Sequence, residues 1–241
     1  MRKVQILLLL IIPIFKSHAQ NMDEQSQNLI KRAEMAMGGQ EAFDNIQHIS
    51  WNFFGVRNLT WDKYSGDVRI DLNNENTVYF VNTQTKEGRV FKNGEEYTQP
   101  DSLQKYLKTA YEIWINDSYW LVMPFKMDDP GVSSKYLKEK ATQNGEAADV
   151  IELTFNETGV TPDNKYHIYF DKNTGLVTQW DFFRNYSDEK PMFSLPWQNY
   201  VRYGSVLLSG DRGERKLSNI KVFKKLPKTV YTEFKRPFYL K

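Results

Sequence analysis

YLKTAYEIWINDSYWLVMPFKMDDPG, residues 106–131, decides how the rest of the chain is read. It holds two Trp, four Tyr or Phe, two Met and several aliphatic residues, and it begins like a helix. Leu103, Leu107, Ala110 and Trp114 fall at i, i+4, i+7 and i+11, one stripe of an α-helix. Tyr106, Ile113 and Trp120 widen that stripe around much of the circumference. Pro124 ends the helical reading, and Asp129-Pro130-Gly131 forms a turn. A helix this apolar, in a chain otherwise rich in strands, must lie on a large hydrophobic surface. It is either the plug of an ordinary core or the lid of an apolar cavity.

On the N-terminal side, residues 23–37 read as a helix. Asp23 can cap it, Leu29, Ala33 and Ala36/Met37 share a face, and Gly38-Gly39 stops it. A short turn over 40–45 leads to Ile49, where the period changes to two: Trp51, Phe53, Gly55 and Arg57 alternate with Asn52, Phe54, Val56 and Asn58. Strands follow at 68–72 and 77–81, and 89–91 meets 95–97 across Asn93-Gly94, a strong hairpin signal. Beyond the aromatic helix, strands are expected at 135–139, 148–155, 166–170, 177–183, 198–209 and 217–223, with 230–234 closing the sheet. The fold class is therefore mainly β (α+β), a large antiparallel meander. Accumulated twist curls a sheet of that size toward a half-barrel, and the N-terminal and central aromatic helices are available to cover its concave face.

The ends and the composition bound the function. Arg2 and Lys3, an apolar run over 4–15 and Ser17-His18-Ala19 make residues 1–19 a secretory signal peptide, leaving 20–241 as a single domain. No other run is long and apolar enough for a membrane span. Cysteine is absent, so the chain has neither disulfides nor a lipid-bearing cysteine anchor. The 32 Lys+Arg against 30 Asp+Glu lose Arg2, Lys3 and Lys16 with the leader, which leaves 29 against 30 and a net charge of −1. That balance predicts no nucleic-acid partner.

Catalytic signals are weak. His48 and His167 stand apart with no metal-binding spacing around them. Gly-x-Ser-x-Gly is missing, Asp128-Asp129 reads as turn chemistry, and Glu152, Asp171 and Asp181 are scattered singly. No phosphate loop or dinucleotide fingerprint is present, so no cofactor is expected. Aromatic residues make up 15% of the chain and carry the remaining signal. Trp114 and Trp120 on the lid, with Trp51, Phe53, Tyr79, Tyr169 and Trp180 on the sheet, are the candidate lining of an apolar pocket.

The segments YEIWINDSYWLVMPFKMDDPG (111–131), VIELTFNETGVTPDNKYHIYFDKNTGLVTQWDFF (150–183) and AMGGQEAFDNIQHI (36–49) resemble a family of exported envelope proteins from Bacteroidetes-type bacteria. The resemblance implies a fold similar to that of the lipoprotein localisation factors LolA and LolB, carriers that shield acyl chains in the periplasm. It brings no catalytic residues, and the carriers' lid-holding arginine has no motif-matched position here. The expected function is that of a soluble periplasmic carrier or binding protein, not an enzyme, for a lipid-like or lipoprotein-derived hydrophobic ligand. The alternatives are an envelope interaction module with a filled core and a protein partner, or a hydrolase using carboxylates gathered by folding.

Overall fold

The computed structural model describes residues 23–156 and 159–240; the leader expected over 1–19 lies outside them. Helix α1 spans Glu24–Ala36, and the Asp23 carboxylate accepts the Ser26 N–H at 2.8 Å, satisfying one of the free amides of the first turn. Helix α2, Gln40–Asp44, leads into six strands: β1 His48–Phe53, β2 Arg57–Asp62, β3 Asp67–Leu72, β4 Thr77–Asn82, β5 Gly88–Lys92 and β6 Glu95–Glu96. The aromatic helix α3 runs Pro100–Val122, with Pro100 in its first turn, and tightens into a 3-10 turn over Met123–Phe125. Strands β7 Val132–Ala141, β8 Ala147–Phe155, β9 Lys165–Asp171, β10 Val177–Phe183 and β11 Phe193–Pro196 come next. The short strands β12 Val201–Tyr203, β13 Val206–Leu208 and β14 Asp211–Arg212 precede the last long strand, β15 Arg215–Phe223.

The meander is divided between an eight-stranded antiparallel sheet, ordered β14-β15-β1-β2-β3-β4-β5-β6, and a five-stranded one, ordered β11-β10-β9-β8-β7. Their edges meet where Gln198 bridges Asp211 and the Trp197 N–H donates to the Thr178 carbonyl at 2.8 Å. Neither strand order closes on itself, so the structure is not a closed barrel. Three local expectations are corrected. The strand read through residues 49–58 turns back at Phe54 and Gly55 (φ 52° and 75°) to make the β1–β2 hairpin. The strand read over 198–209 folds into β12 and β13 around Gly204. Residues 230–234 do not close a sheet, because Lys228–Tyr231 is a 3-10 turn.

One core cluster joins the inner faces of both sheets to Ile30, Ala33 and Met37 of α1 and Leu107, Ala110 and Trp120 of α3. On the outer face of the large sheet, Val78, Phe80 and Phe91 pack with Phe234 from the segment that follows β15. Fully buried Arg69 fastens that segment. It forms a pair with Asp71 and donates to the carbonyls of Val230, Glu233 and Phe234, so all five guanidinium hydrogens have acceptors.

Candidate functional site

Helix α3 crosses the inner face from the large sheet to the small one, and its aromatic contacts mark the route. Tyr106 stacks on Tyr79 of β4 with ring centres 6.3 Å apart, and Trp114 meets Trp61 of β2 edge to face at 5.3 Å. Trp120 then stands edge-on to Phe53 of β1 at 6.1 Å and to Trp180 of β10 at 4.8 Å. Trp114 of the sequence stripe and Tyr106 and Trp120, which widen it, thus form a line of rings spanning both sheets. Of the seven residues nominated from sequence, Trp51, Phe53, Tyr79, Trp114, Trp120 and Trp180 come together in this layer.

Tyr169 does not. On β9 its neighbours Ile168 and Phe170 face the core, so Tyr169 lies on the opposite face beside Ala148 and Val150. Its hydroxyl donates to Asp181 Oδ2 at 2.7 Å.

Polar groups at the layer come from residues far apart in sequence. Asp117 of α3, with no exposed side-chain surface, receives two bonds from Arg57 of β2: Nε to Oδ2 at 2.5 Å and Nη2 to Oδ1 at 2.7 Å. Burial pushes the Asp117 carboxyl up, and the guanidinium opposes that shift. Arg57 also lies over the Phe53 ring, 4.8 Å from its centre. In the sequence Arg57 stood only as one member of a β alternation; its acid is 60 residues away and no local motif joins them.

At the junction of the sheets, Arg212 is fully buried. Its Nη1 donates to Ser209 Oγ and the Asp211 carbonyl, and its Nη2 to the carbonyls of Trp120 and Ser209. The bond to Trp120, 2.7 Å long, fixes the C-terminal end of α3, where the helix dipole favours a cation. Burial lowers this guanidinium to about 9. Among the described residues, the interior also holds buried indole N–H groups without an acceptor on Trp51, Trp61, Trp114, Trp180 and Trp197, and the Tyr119 hydroxyl is likewise unpartnered. Burial raises the Tyr119 hydroxyl well above the usual phenol range.

Away from α3, strand register gathers what the sequence left scattered. Glu152, His167 and Asp181 sit opposite one another on β8, β9 and β10. His167 Nε2 lies 3.4 Å from Glu152, but Asp181 is already occupied by Tyr169 and Gln179. Asp171 accepts the backbone N–H groups of Asn173 and Thr174, which is turn chemistry. An open cleft of about 250 Å³ lies elsewhere, at the edge of the large sheet between Asp67, Phe80, Glu87, Arg89 and Tyr231. No group of three or more metal-binding side chains occurs among the described residues, and no described helix is long and apolar enough to cross a membrane.

No family profile matches the chain, and no curated protein does. Among solved structures, the chain is similar to a DUF1329 family protein from Desulfovibrio piger, with a TM-score of 0.48 and 13% identity over 85% of this chain and 96% of that one.

Proposed function

We propose that this chain is a carrier or binding protein, rather than an enzyme, for a lipid-like or lipoprotein-derived hydrophobic ligand. It would work in the periplasm as one of the exported Bacteroidetes-type envelope proteins it resembles, with a half-barrel similar to that of LolA and LolB. The observation that carries this reading is the cover. A single helix, α3, lies over an aromatic layer drawn from both sheets and is tied toward its C-terminal end by the Arg57–Asp117 pair. An acyl chain would replace the α3 rings against the layer, gaining about 25 cal/mol per Å² of apolar area buried. Native mass spectrometry of protein recovered from the periplasm, followed by organic extraction, tests the reading. A reproducible lipid adduct supports it. Trp120→Asp, which puts a charge at the centre of the layer, should then abolish the adduct while the protein is still secreted.

A second reading is favoured by the near-complete burial of Trp51, Trp180 and Trp197, whose rings belong to the main core cluster. A filled core suits an envelope interaction module. That reading predicts a clean ligand-free mass and a persistent cross-linked protein partner.

A further inference from the structure

Three hydrogen-bond donors lie on neighbouring side chains at the seam between the sheets, and none has an acceptor among the described residues. Trp180 and Trp197 stand edge to face with ring centres 5.3 Å apart, and the guanidinium carbon of Arg212 lies 3.2 Å from the centre of the Trp197 ring. All three side chains are at most 1% exposed. The two indole N–H groups and the Arg212 Nε–H are each buried without a partner. An edge-to-face ring contact compensates an N–H only weakly.

Among the described residues, no carboxylate forms a direct ion pair with Arg212, although Asp211 lies close enough to favour its charge. The neighbouring Asp211 carboxylate is taken up by Asn199, Gln198, Lys216 and the Gly213 N–H. A buried cation without a counter-ion is costly, and indole and guanidinium are donors only. What complements them is negative and rich in acceptors. Trp120 gives its carbonyl to Arg212 and its ring to Trp180, so the seam adjoins the aromatic layer. Exposed Arg215 adds a second positive charge beside Trp120 and Phe193.

We propose that this seam is the head-group subsite for an anionic amphiphile, an acyl chain ending in a carboxylate or phosphate. The head would accept from Arg212, Trp180 and Trp197 while the chain runs beneath Trp120. The assignment rests on the carrier reading of the layer.

The test measures quenching of tryptophan fluorescence in the purified protein by dibromostearate and by its methyl ester, with dibrominated phosphatidate as a third probe. Acetate and inorganic phosphate are added as competitors. The acid should bind about tenfold or more tightly than the ester, the discrimination expected of charge-assisted hydrogen bonds. Arg212→Met and Trp197→Phe should each erode that ratio. Trp197→Phe keeps an aromatic ring in place, so it carries the test if the arginine variant misfolds by circular dichroism. Tighter binding of phosphatidate than of the acid would support the proposal and name phosphate as the head.

Equal binding of acid and ester overturns the head-group assignment while leaving the carrier reading intact, as does a preference unchanged in both variants. Competition by acetate or phosphate at the probe's own concentration overturns it in favour of a small free anion. Failure of every lipid to bind removes the carrier reading and this assignment with it.

Discussion

Arg57 and Asp117 are joined fork to fork, and the pair is lopsided: the carboxylate has no exposed side-chain surface, whereas the guanidinium keeps 22%. Removing the arginine would leave a desolvated charge inside the protein, so Arg57→Met should lower the unfolding free energy by about 3–5 kcal/mol. Arg57→Met combined with Asp117→Leu should recover most of that loss, because it removes the stranded charge as well. Urea titrations of the three proteins measure this. Hydrogen exchange along α3 should quicken in the single variant.

His48 makes the fold sensitive to acid. The Leu226 N–H donates to its Nε2 at 3.1 Å, so the neutral ring carries its proton on Nδ1, which donates to the Tyr231 hydroxyl at 2.9 Å. Burial lowers the His48 pKa below its ordinary 6.5, with the nearby Asp62 carboxylate opposing. Because the folded value is the depressed one, the stabilisation is complete above the unfolded value and drains as pH falls below about 6.5. Wild type should lose more stability than His48→Gln between pH 7.5 and 5.5 in chemical denaturation, a range that brackets the reference His pKa of about 6.5. Parallel curves for the two proteins would refute the assignment. His167 is lowered in the same direction by burial and Lys140, so the comparison with the variant isolates His48.

Arg69 should resist conservative exchange. Its planar fork serves Asp71 and three carbonyls at once, an arrangement that the three donors of an ammonium cannot reproduce. Arg69→Lys and Arg69→Met are both expected to be destabilised by about 3 kcal/mol or more. Limited proteolysis should then cut first in residues 224–240.

Gly38 and Gly39 both hold left-handed backbone, at φ 113° and 90°, but their surroundings differ. A Cβ on Gly38 would collide with the Ser205 carbonyl oxygen, whereas one on Gly39 meets nothing within 4 Å. Gly39→Ala should cost about 1 kcal/mol of backbone strain, and Gly38→Ala about 3 kcal/mol. The difference between their thermal midpoints is the readout.

What the sequence made legible was local. Asp23 capping α1, the Asn93-Gly94 turn with both residues at positive φ, and the stripe of α3 each follow from neighbours within a few positions. The β1–β2 hairpin escaped because its turn, Phe54-Gly55-Val56, is apolar, and Phe54 continues the alternation while its backbone leaves it. Tyr169 was misplaced because alternation orders a strand's residues into two sets without saying which set is buried. Only the partnering of Ile168 with Trp180 settles that. Arg57 with Asp117, and Arg212 with Trp120, are separated by 60 and 92 residues, distances over which single-residue chemistry leaves no trace.

The position of β1 in the large sheet sets the order in which the molecule can be assembled. One flank of β1 is paired by β2 almost at once, but the other waits for β15, whose residues 217–223 are made some 165 positions later. Until then this interior strand of the sheet has a bare edge, and Arg69 and Asp71 remain uncovered until residues 230–236 arrive. The large sheet is completed only by its last long strand, and pairing across so long a stretch of chain raises contact order and slows folding.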